Sequence, residues 1–285
     1  MENEEMTAAS FTSLDTNAVP WEDNPGIPGF KRRLLVFDDA TRSEVRMDYV
    51  PPGAIPRVIE LPHRHYHRTV TERAYALGGD FPHWEFSSTR DREGEMIVFR
   101  RHLFMDRPPK SIHGLMPEPL SETGCVLLYW NTGPGTGVAE PDAPMESVEL
   151  SFDDSADADC TNFSDARLFD TAEVAWQAHD SASGWKRKPL AEAVENSGAV
   201  SLVHVPADWS GSPEPVQAPG KGPSPWLFVI AGDLCVQLTE NGARRVLALR
   251  EGAFLIWRAG TALNVPAESV SEGGCTVLCV GHDLS

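Results

Sequence analysis

The residues best suited to chemistry are histidines, and six of the nine lie between His63 and His113. Three of these alternate in an H-x-H-x-H run that begins at His63. On an extended strand, residues two apart face the same side, so His65 and His67 can offer two imidazoles to one ion. Imidazole combined with a carboxylate suits a divalent first-row metal. This run therefore predicts a metal site.

Two further ligands are expected from other parts of the chain. Glu72 follows His67 by five residues and could return on the next strand as an oxygen ligand. His113 follows a proline turn that would hold it rigidly at the start of a strand. The alternatives are a His63–His65 pair with His67 outside the ligand set, a site of histidines alone, and a solvated edge strand with no metal.

Other polar residues near this run have less specific roles. His63, His83 and His102 could contact the ligands or act as a general base, although a structural role is the simpler interpretation. The catalytic residues cannot be named from the sequence. Six arginines could supply a cation for a carboxylate substrate: Arg64, Arg68, Arg73, Arg100, Arg101 and Arg107.

An internal repeat indicates the scaffold that must position these residues. At an offset of 155, 11 residues of segment 15–51 recur identically. Further along, Gly79-Asp80 recurs as Gly232-Asp233. A duplicated domain is the simplest explanation.

Both copies consist of short apolar or alternating runs separated by Gly, Pro and Asp, which predicts an all-β sandwich or barrel. A short helix is expected only near Leu190–Glu195. The predicted divisions are a disordered acidic tail (1–14), a metal-binding domain (15–132), an acidic linker (133–168) and a C-terminal domain (169–285).

The formal charge of −18 is unevenly distributed, since residues 31–130 sum to +1 and residues 1–30 and 131–182 together hold −17. Excess acid disfavours nucleic acid and anionic membranes as partners, but the near-neutral histidine segment is compatible with an anionic small molecule. We expect a cytoplasmic protein, because the sequence has neither a secretory signal nor a membrane-length apolar run, and its five cysteines show no CxxC spacing.

The spacing of these residues resembles the motifs of the cupin superfamily. His65-x-His67-x4-Glu72-x6-Gly79 is similar to the first cupin motif. The stretch before His113 is similar to the second, with Lys110 at the usual glycine position. The repeated opening Trp-x7-Gly-(Phe/Trp)-Lys-Arg resembles bacterial cupins related to the cupin domain of zinc-dependent anti-sigma factors.

Because the resemblance covers both halves, it implies a bicupin with two tandem jelly-roll (RmlC-like) β-barrels. It implies one divalent ion per chain, bound by His65, His67, Glu72 and His113. The C-terminal copy has Leu263 where His113 stands and no histidine in segment 214–225. We therefore expect this copy to be a degenerate cupin domain without metal.

The resemblance implies two classes of function. With Fe(II), a small chelating enol, diketone or aromatic substrate could react with dioxygen, and this non-haem dioxygenase activity is the favoured interpretation. With Zn, which has no redox chemistry, the protein would be a non-catalytic sensor of a ligand or oxidant. Mn, Ni or Co, and an isomerase, decarboxylase or lyase activity, are further alternatives. A homodimer is expected because exposed sheet edges favour pairing.

Overall fold

The structure of the protein, a computed structural model, describes residues 11–25, 27, 29–39, 41–54, 63–115, 121–133, 147–150, 164–178, 184–193, 198–207, 209, 216–217, 224–258, 260–266 and 270–281. Within these ranges there are 22 strands and one three-residue 3-10 helix, Thr16–Ala18, which confirms the prediction of an all-β chain.

The strands are, in chain order, β1 (Phe11–Asp15), β2 (Glu22–Asp23), β3 (Lys31–Phe37), β4 (Glu44–Val50), β5 (His63–His67), β6 (Glu72–Phe86), β7 (Glu95–Arg100), β8 (Leu103–Arg107), β9 (Ile112–Leu115), β10 (Cys125–Asn131), β11 (Ser147–Glu149), β12 (Arg167–Asp170), β13 (Gln177–Ala178), β14 (Lys186–Ala191), β15 (Val200–Val205), β16 (Val216–Gln217), β17 (Trp226–Ala231), β18 (Leu234–Glu240), β19 (Ala243–Leu249), β20 (Ala253–Trp257), β21 (Thr261–Asn264) and β22 (Cys275–Val280).

The chain divides into two compact units. We call Pro20–Glu173 the histidine unit, and Val174–Ser285 together with Met1–Val19 the apolar unit. The first strand of each sequence repeat pairs within the unit formed mainly by the other repeat. β1 pairs with β20 in the apolar unit, and the equivalent β12 pairs with β8 in the histidine unit.

The longest strand of the histidine unit, β6, joins its two groups of strands. The first half of β6 pairs with β10 and β8, and the second half pairs with β9 and β7. Gly79 lies at the change of partner with a φ of +87°, and a Cβ there would lie 1.7 Å from the carbonyl oxygen of Gly124. Only glycine fits this position without displacing the neighbouring backbone.

Two apolar clusters pack on opposite faces of the strands that carry the histidines. One contains Phe30, Val50, Phe81, Phe99, Met105, Leu115, Leu127 and Tyr129 on the inward side. The other contains Tyr66, Trp84, Phe86, Ile112 and Leu150, which alternate with the inward-facing residues of their strands. Because side chains alternate along a strand, the second cluster fixes which residues of β5, β6 and β9 point inward.

The apolar unit contains a seven-stranded sheet, β1-β20-β17-β22-β15-β14-β13, and a four-stranded sheet, β16-β21-β18-β19. Its buried cluster consists of aliphatic, aromatic and cysteine side chains, with Trp185 and Trp209 in edge-to-face contact at a centroid distance of 5.2 Å.

Several local expectations differ from the structure. Residues 11–14 of the predicted tail belong to β1, and the predicted linker contains β11 and the first two residues of β12, because each strand finds a pairing partner far away in sequence. The rest of the tail, and linker residues 134–146 and 151–163, lie outside the described residues. The helix expected near Leu190–Glu195 does not begin at Leu190, which belongs to β14, a strand that pairs with β15. In the part of the chain that the structure describes, no helix is long and apolar enough to cross a membrane.

Candidate metal centre

The histidine run forms β5, and strand pairing brings a fourth imidazole to it. His63, His65 and His67 share one face of the strand because they are two residues apart. β5 pairs with β9 so that His65 lies opposite His113, with 4.2 Å between the ring centroids. The nitrogen atoms of His65, His67 and His113 that could bind a metal lie within 4.8 Å of one another.

Glu72, the first residue of β6, lies beside two of these imidazoles. Its Oε1 is 3.2 Å from Nε2 of His67, and its Oε2 is 3.2 Å from Nε2 of His113. The hydroxyl of Tyr129 donates a hydrogen bond to Oε1 of Glu72. The side chains of His67, Glu72 and His113 are buried, and that of His65 is partly accessible.

The electrostatic environment favours the protonation states that metal binding requires. Burial lowers the pKa of both His65 and His113 well below the usual histidine value, with further lowering by neighbouring imidazoles and, for His113, by Arg107. Burial alone would raise the pKa of Glu72, but His67, His113 and Arg107 hold it well below its usual value. Neutral imidazoles and an ionised carboxylate are the ligand forms.

The turn before His113 fixes the orientation of its ring. Nδ1 of His113 lies 3.0 Å from the carbonyl oxygen of Ser111, so an Nδ1–H can donate to that oxygen and leave Nε2 for a metal. Lys110 has a φ of +70°, in the left-handed region that favours glycine, and its backbone N–H donates to the carbonyl of His67 at 2.7 Å. The lysine thus keeps the backbone conformation that a glycine would adopt.

Arg107 connects Glu72 to a second buried carboxylate. Its guanidinium donates to both oxygens of Glu85 and lies 3.7 Å from Oε2 of Glu72. It also lies 3.2 Å from Nδ1 of His83. Burial alone would lower the pKa of Arg107, but Glu85 and Glu72 raise it, so the guanidinium stays charged.

A second buried arginine, Arg46, lies on β4, which pairs with β10 on the side away from β6. Arg46 stacks on the ring of Tyr129, with 3.9 Å from its guanidinium carbon to the ring centroid. It pairs with Asp48 at 3.0 Å and contacts Glu44. Burial raises the pKa of Tyr129 well above its usual value, as does Glu72, so the phenol keeps its proton and can donate it in a hydrogen bond.

These residues surround a cavity of about 240 Å³ in the histidine unit. One part of the wall is polar and includes four imidazoles, and the rest is apolar. The lining residues are Ile27, Phe30, Arg46, Asp48, Val50, His63, His65, Glu72, Ala74, Phe81, His83, Phe99, Met105, Arg107, His113, Leu115, Leu127, Tyr129 and Glu149.

The three additional histidines named from the sequence have different positions. His63 and His83 line the cavity. His102 does not; it occupies the turn after β7, where its Nδ1 lies 3.0 Å from the hydroxyl of Tyr75. It helps to hold β12, because its carbonyl accepts a hydrogen bond from Thr171.

Of the six arginines considered as substrate contacts, only Arg107 lines the cavity. Arg64 donates to the carbonyl of Asp91, and Arg73 pairs with Asp106 at 2.8 Å. The other three, Arg68, Arg100 and Arg101, are exposed. Arg107 is already compensated by two carboxylates, so its attraction for an anionic substrate is reduced.

Sequence reasoning did not identify Glu85, Arg46, Tyr129 or Glu149 as part of this centre. One signal was available for Glu85, because it lies two residues after His83 and therefore faces the same side of β6. The alternation of charges with apolar residues along β4 usually indicates a solvent-facing side, whereas here the charged side faces the cavity. The position of Glu149 depends on a pairing between β11 and β5 that no local pattern indicates.

The donor set fits a divalent metal ion. One buried atom that could act as a ligand, Oε2 of Glu72, has no hydrogen-bond partner among the residues that the structure describes. Unsatisfied buried polar atoms are rare in folded proteins and call for an unplaced partner such as an ion. Three neutral imidazoles and one carboxylate provide the nitrogen and oxygen atoms that first-row metals bind.

No protein-family model matches this chain, and a search of the curated proteins finds no relative. Solved structures do match. A putative glyoxylate induced protein from Pseudomonas aeruginosa is 10% identical with a TM-score of 0.64, and the match covers 98% of this chain and 91% of that chain. Streptomyces albus HEPD with 2-hydroxyethylphosphonate and Fe(II) bound is 10% identical with a TM-score of 0.62, over 97% and 77% of the two chains.

A variant of Bacillus subtilis oxalate decarboxylase is 13% identical with a TM-score of 0.59, and this match covers 96% of this chain and 77% of that chain. All three are cupin-fold proteins. At these identities the likeness shows the fold alone, and the chain therefore has a cupin fold.

Proposed function

We propose that the histidine unit is a metal-dependent enzyme that binds one divalent first-row ion through His65, His67, Glu72 and His113. We further propose that it acts on a small chelating molecule as a non-haem Fe(II) dioxygenase. The observation that carries this proposal is the convergence of three imidazoles and a buried carboxylate, of which His65, His113 and Glu72 line one cavity while His67 lies beside Glu72. When bound, such an ion would polarise a chelating enol or diketone and activate dioxygen beside it.

The protein's own groups have separable roles in this proposal. Tyr129 and Arg107 both contact Glu72 and orient the carboxylate, and Arg107 together with His67 and His113 keeps it ionised. Ser111 sets the tautomer of His113 through its carbonyl. The apolar wall excludes water and accommodates the non-chelating part of a substrate.

The charges in the cavity favour a substrate that is neutral or loses one proton on binding. Arg107 is compensated by Glu72 and Glu85, and Arg46 by Glu44 and Asp48. With Glu149, which also lines the cavity, two cations and five carboxylates leave an excess of three negative charges, which one divalent ion reduces to one. An anionic group would therefore be held chiefly by the ion.

We also propose that the two units are tandem jelly-roll barrels, so that the chain is a bicupin. The repeat in sequence and the coverage of nearly the whole chain by cupin-fold structures support this proposal. From the charge and composition we propose a cytoplasmic protein that binds neither nucleic acid nor membranes. We propose a homodimer because exposed sheet edges favour pairing.

Metal analysis and oxygen consumption test the function together. Protein purified without chelators should contain a divalent metal, and after loading with Fe(II) it should consume oxygen with members of a panel of diketones, enols and catechols. His204→Ala, which removes a partly buried imidazole from the apolar unit, is the control and should retain both properties. Stoichiometric zinc with no iron-dependent turnover would contradict the dioxygenase proposal and favour a zinc sensor.

A further inference from the structure

The face of β5 that carries the proposed ligands continues beyond them to a second group of donor atoms. His63 lies two residues before His65, and its ring centroid is 4.7 Å from that of His65. β11 pairs along β5 so that Glu149 is opposite His65. Donor atoms of His63, His65 and Glu149 lie within 4.8 Å of one another, as do those of the inner group.

Packing of β11 directs Glu149 toward the histidines. Its neighbours, Val148 and Leu150, pack against the cluster on the other face of β5, and the backbone N–H of Leu150 donates to the carbonyl of Arg64 at 2.8 Å. Alternation along the strand therefore turns Glu149 to the cavity side. Its Oε2 lies 2.5 Å from Nε2 of His63, and both residues line the cavity.

His65 belongs to both groups, so each ion would need its own ring nitrogen of His65 when both are bound. Its Nδ1 is buried and has no hydrogen-bond partner among the residues that the structure describes. Metal-bound histidines usually donate the second ring nitrogen to a partner, as His113 does to Ser111. The second nitrogen of His65 lacks that partner, whereas an imidazole and a carboxylate lie beside the ring.

We propose that His63, His65 and Glu149 form a second, outer divalent-cation site at the cavity wall, occupied together with the inner site and sharing His65. Binding of two ions to one imidazole requires that the ring release its N–H proton to solvent, so the shared ligand is an imidazolate. The side chain of Glu149 is 52% exposed and that of His63 is 18% exposed, so the outer site is open to ions from solution. Two imidazole nitrogens and a carboxylate suit Zn²⁺ or Co²⁺ and leave coordination positions for water or a substrate. The sharing of His65 rests on the proposed function, because that function supplies the inner ion.

Counting bound ions tests this proposal without measuring activity. Tag-free apoprotein would be titrated with Co²⁺, followed by its visible absorption, and equilibrated with Zn²⁺ for elemental analysis. We expect two ions per wild-type chain and one per chain in the double variant His63→Ala, Glu149→Gln. The single variant Glu149→Gln should weaken the second binding step by roughly 10- to 100-fold, with the first step unchanged. Glu95→Gln, which neutralises an exposed strand carboxylate away from the cavity, is the control and should still bind two ions.

The outcomes separate this proposal from the function of the inner site. Saturation of the wild type at one ion, with no loss of affinity in His63→Ala, Glu149→Gln, would overturn the outer site and leave the inner site intact. The variant His67→Ala, His113→Ala should bind one ion, through the outer group. If it still binds two ions, the inner ligand set is wrong while outer binding stands. Loss of every ion from the variant His63→Ala, Glu149→Gln would refute the two-site arrangement and the proposed inner site together.

Discussion

The two units share a strand pattern but differ at almost every position that faces the cavity in the histidine unit. Matching the strands by their pairing register aligns the His65–His113 pair of β5 and β9 with the Val216–Leu263 pair of β16 and β21. By the same register, the apolar unit has Pro225 at the position of Glu72 and Leu238 at that of Glu85. It has Trp257 at the position of Arg107 and Cys279 at that of Tyr129. The apolar unit thus has neither the proposed ligands nor the charged groups that surround them in the histidine unit.

The turns that shape the units are retained. Gly79 and Gly232 have φ values of +87° and +79°, and a Cβ on either would collide with the carbonyl oxygen of Gly124 or Gly274. Ser121 and Ser271 each hydrogen-bond within the facing turn. The backbone requirements of the fold are therefore separable from the requirements of the site.

The difference shows which residues serve the fold and which serve the site. Buried ion pairs such as Arg107–Glu85 are costly to desolvate, and well-packed apolar residues of similar volume are often as stable or more stable. At the matching positions the apolar unit has Trp257 and Leu238, both nearly inaccessible to solvent. The charged network of the histidine unit is thus better explained by orienting Glu72, a proposed metal ligand, than by stability.

The strongest test of this contrast is removal of the paired imidazoles. The double variant His65→Ala, His67→Ala should bind no metal at either site, because it removes two inner ligands and the ligand that both sites share. Elemental analysis after equilibration with Zn²⁺ measures this. The matched control is Leu263→Met in the apolar unit, a nearly volume-conserving change that should leave metal content at the wild-type value. Unchanged metal in the histidine variant would show that the ligands are misassigned.

The opposite effect is expected at the equivalent position of the apolar unit. Leu263→Ala should leave metal binding intact and lower the free energy of unfolding by about 2–5 kcal/mol, because Leu263 is 1% exposed and its truncation leaves a cavity. His113→Ala should instead remove inner metal binding at little cost to the stability of the apoprotein. Urea unfolding of both apoproteins measures the loss of stability, and metal analysis measures the loss of metal binding. A loss of metal in Leu263→Ala would mean that the apolar unit also binds an ion.

The sequence was sufficient to predict the all-β class and the histidines that cluster, because alternation along β5 is a local property that sets which side chains share a face. The further residues of other strands that complete the centre could not be predicted from the sequence. Glu149 reaches the site only because β11 adds to β5, and Arg107 reaches Glu72 only through the register of β8 against β6. Such registers depend on packing summed over whole strands, which no short motif contains.

The same dependence on distant strand pairing explains why residues 11–14 were predicted to be a disordered tail and not a strand. Phe11–Asp15 has only two apolar residues, Phe11 and Leu14, three apart in a polar context, and it is a strand because β20 offers an edge to it. The likeness between Asp15-Thr16 and Asp170-Thr171 was visible in the repeat. The repeat could not reveal that the first strand of each copy pairs within the unit formed mainly by the other copy.

A smaller effect is expected from the hydroxyl of Tyr129. Tyr129→Phe removes the donor to Glu72, and the freed carboxylate oxygen loses its orientation. Metal affinity at the inner site should fall by roughly 10- to 100-fold, as is typical when a group that supports a ligand is removed. Co²⁺ titration measures the change. Cys279→Ala, at the matching position of the apolar unit, should leave the affinity unchanged, and an equal loss there would show that the effect is general destabilisation.

The smallest predicted effect concerns Asp80 and Asp233, which the repeat places in equivalent turns. The hydroxyl of Thr123 and the backbone N–H groups of Glu122 and Thr123 donate to the Asp80 carboxylate and lower its pKa to about 2. Among the described residues, no such donor contacts the carboxylate of Asp233. Asp80→Asn should therefore destabilise the protein at neutral pH by about 1 kcal/mol, a value reduced by solvent screening, and Asp233→Asn should have little effect.

The pH dependence distinguishes this charge effect from a steric one. A carboxyl group whose pKa is lower in the folded state stabilises that state fully above its unfolded pKa of about 3.9, and the stabilisation disappears as the pH falls toward 2. The difference in unfolding free energy between the wild type and Asp80→Asn should thus be constant from pH 7 to pH 5 and shrink steadily below pH 4. Urea unfolding across this range measures it. A difference that stays constant down to pH 2.5 would mean that the turn depends on the shape of the side chain and not on its charge, and the contrast between the two turns would then need another cause.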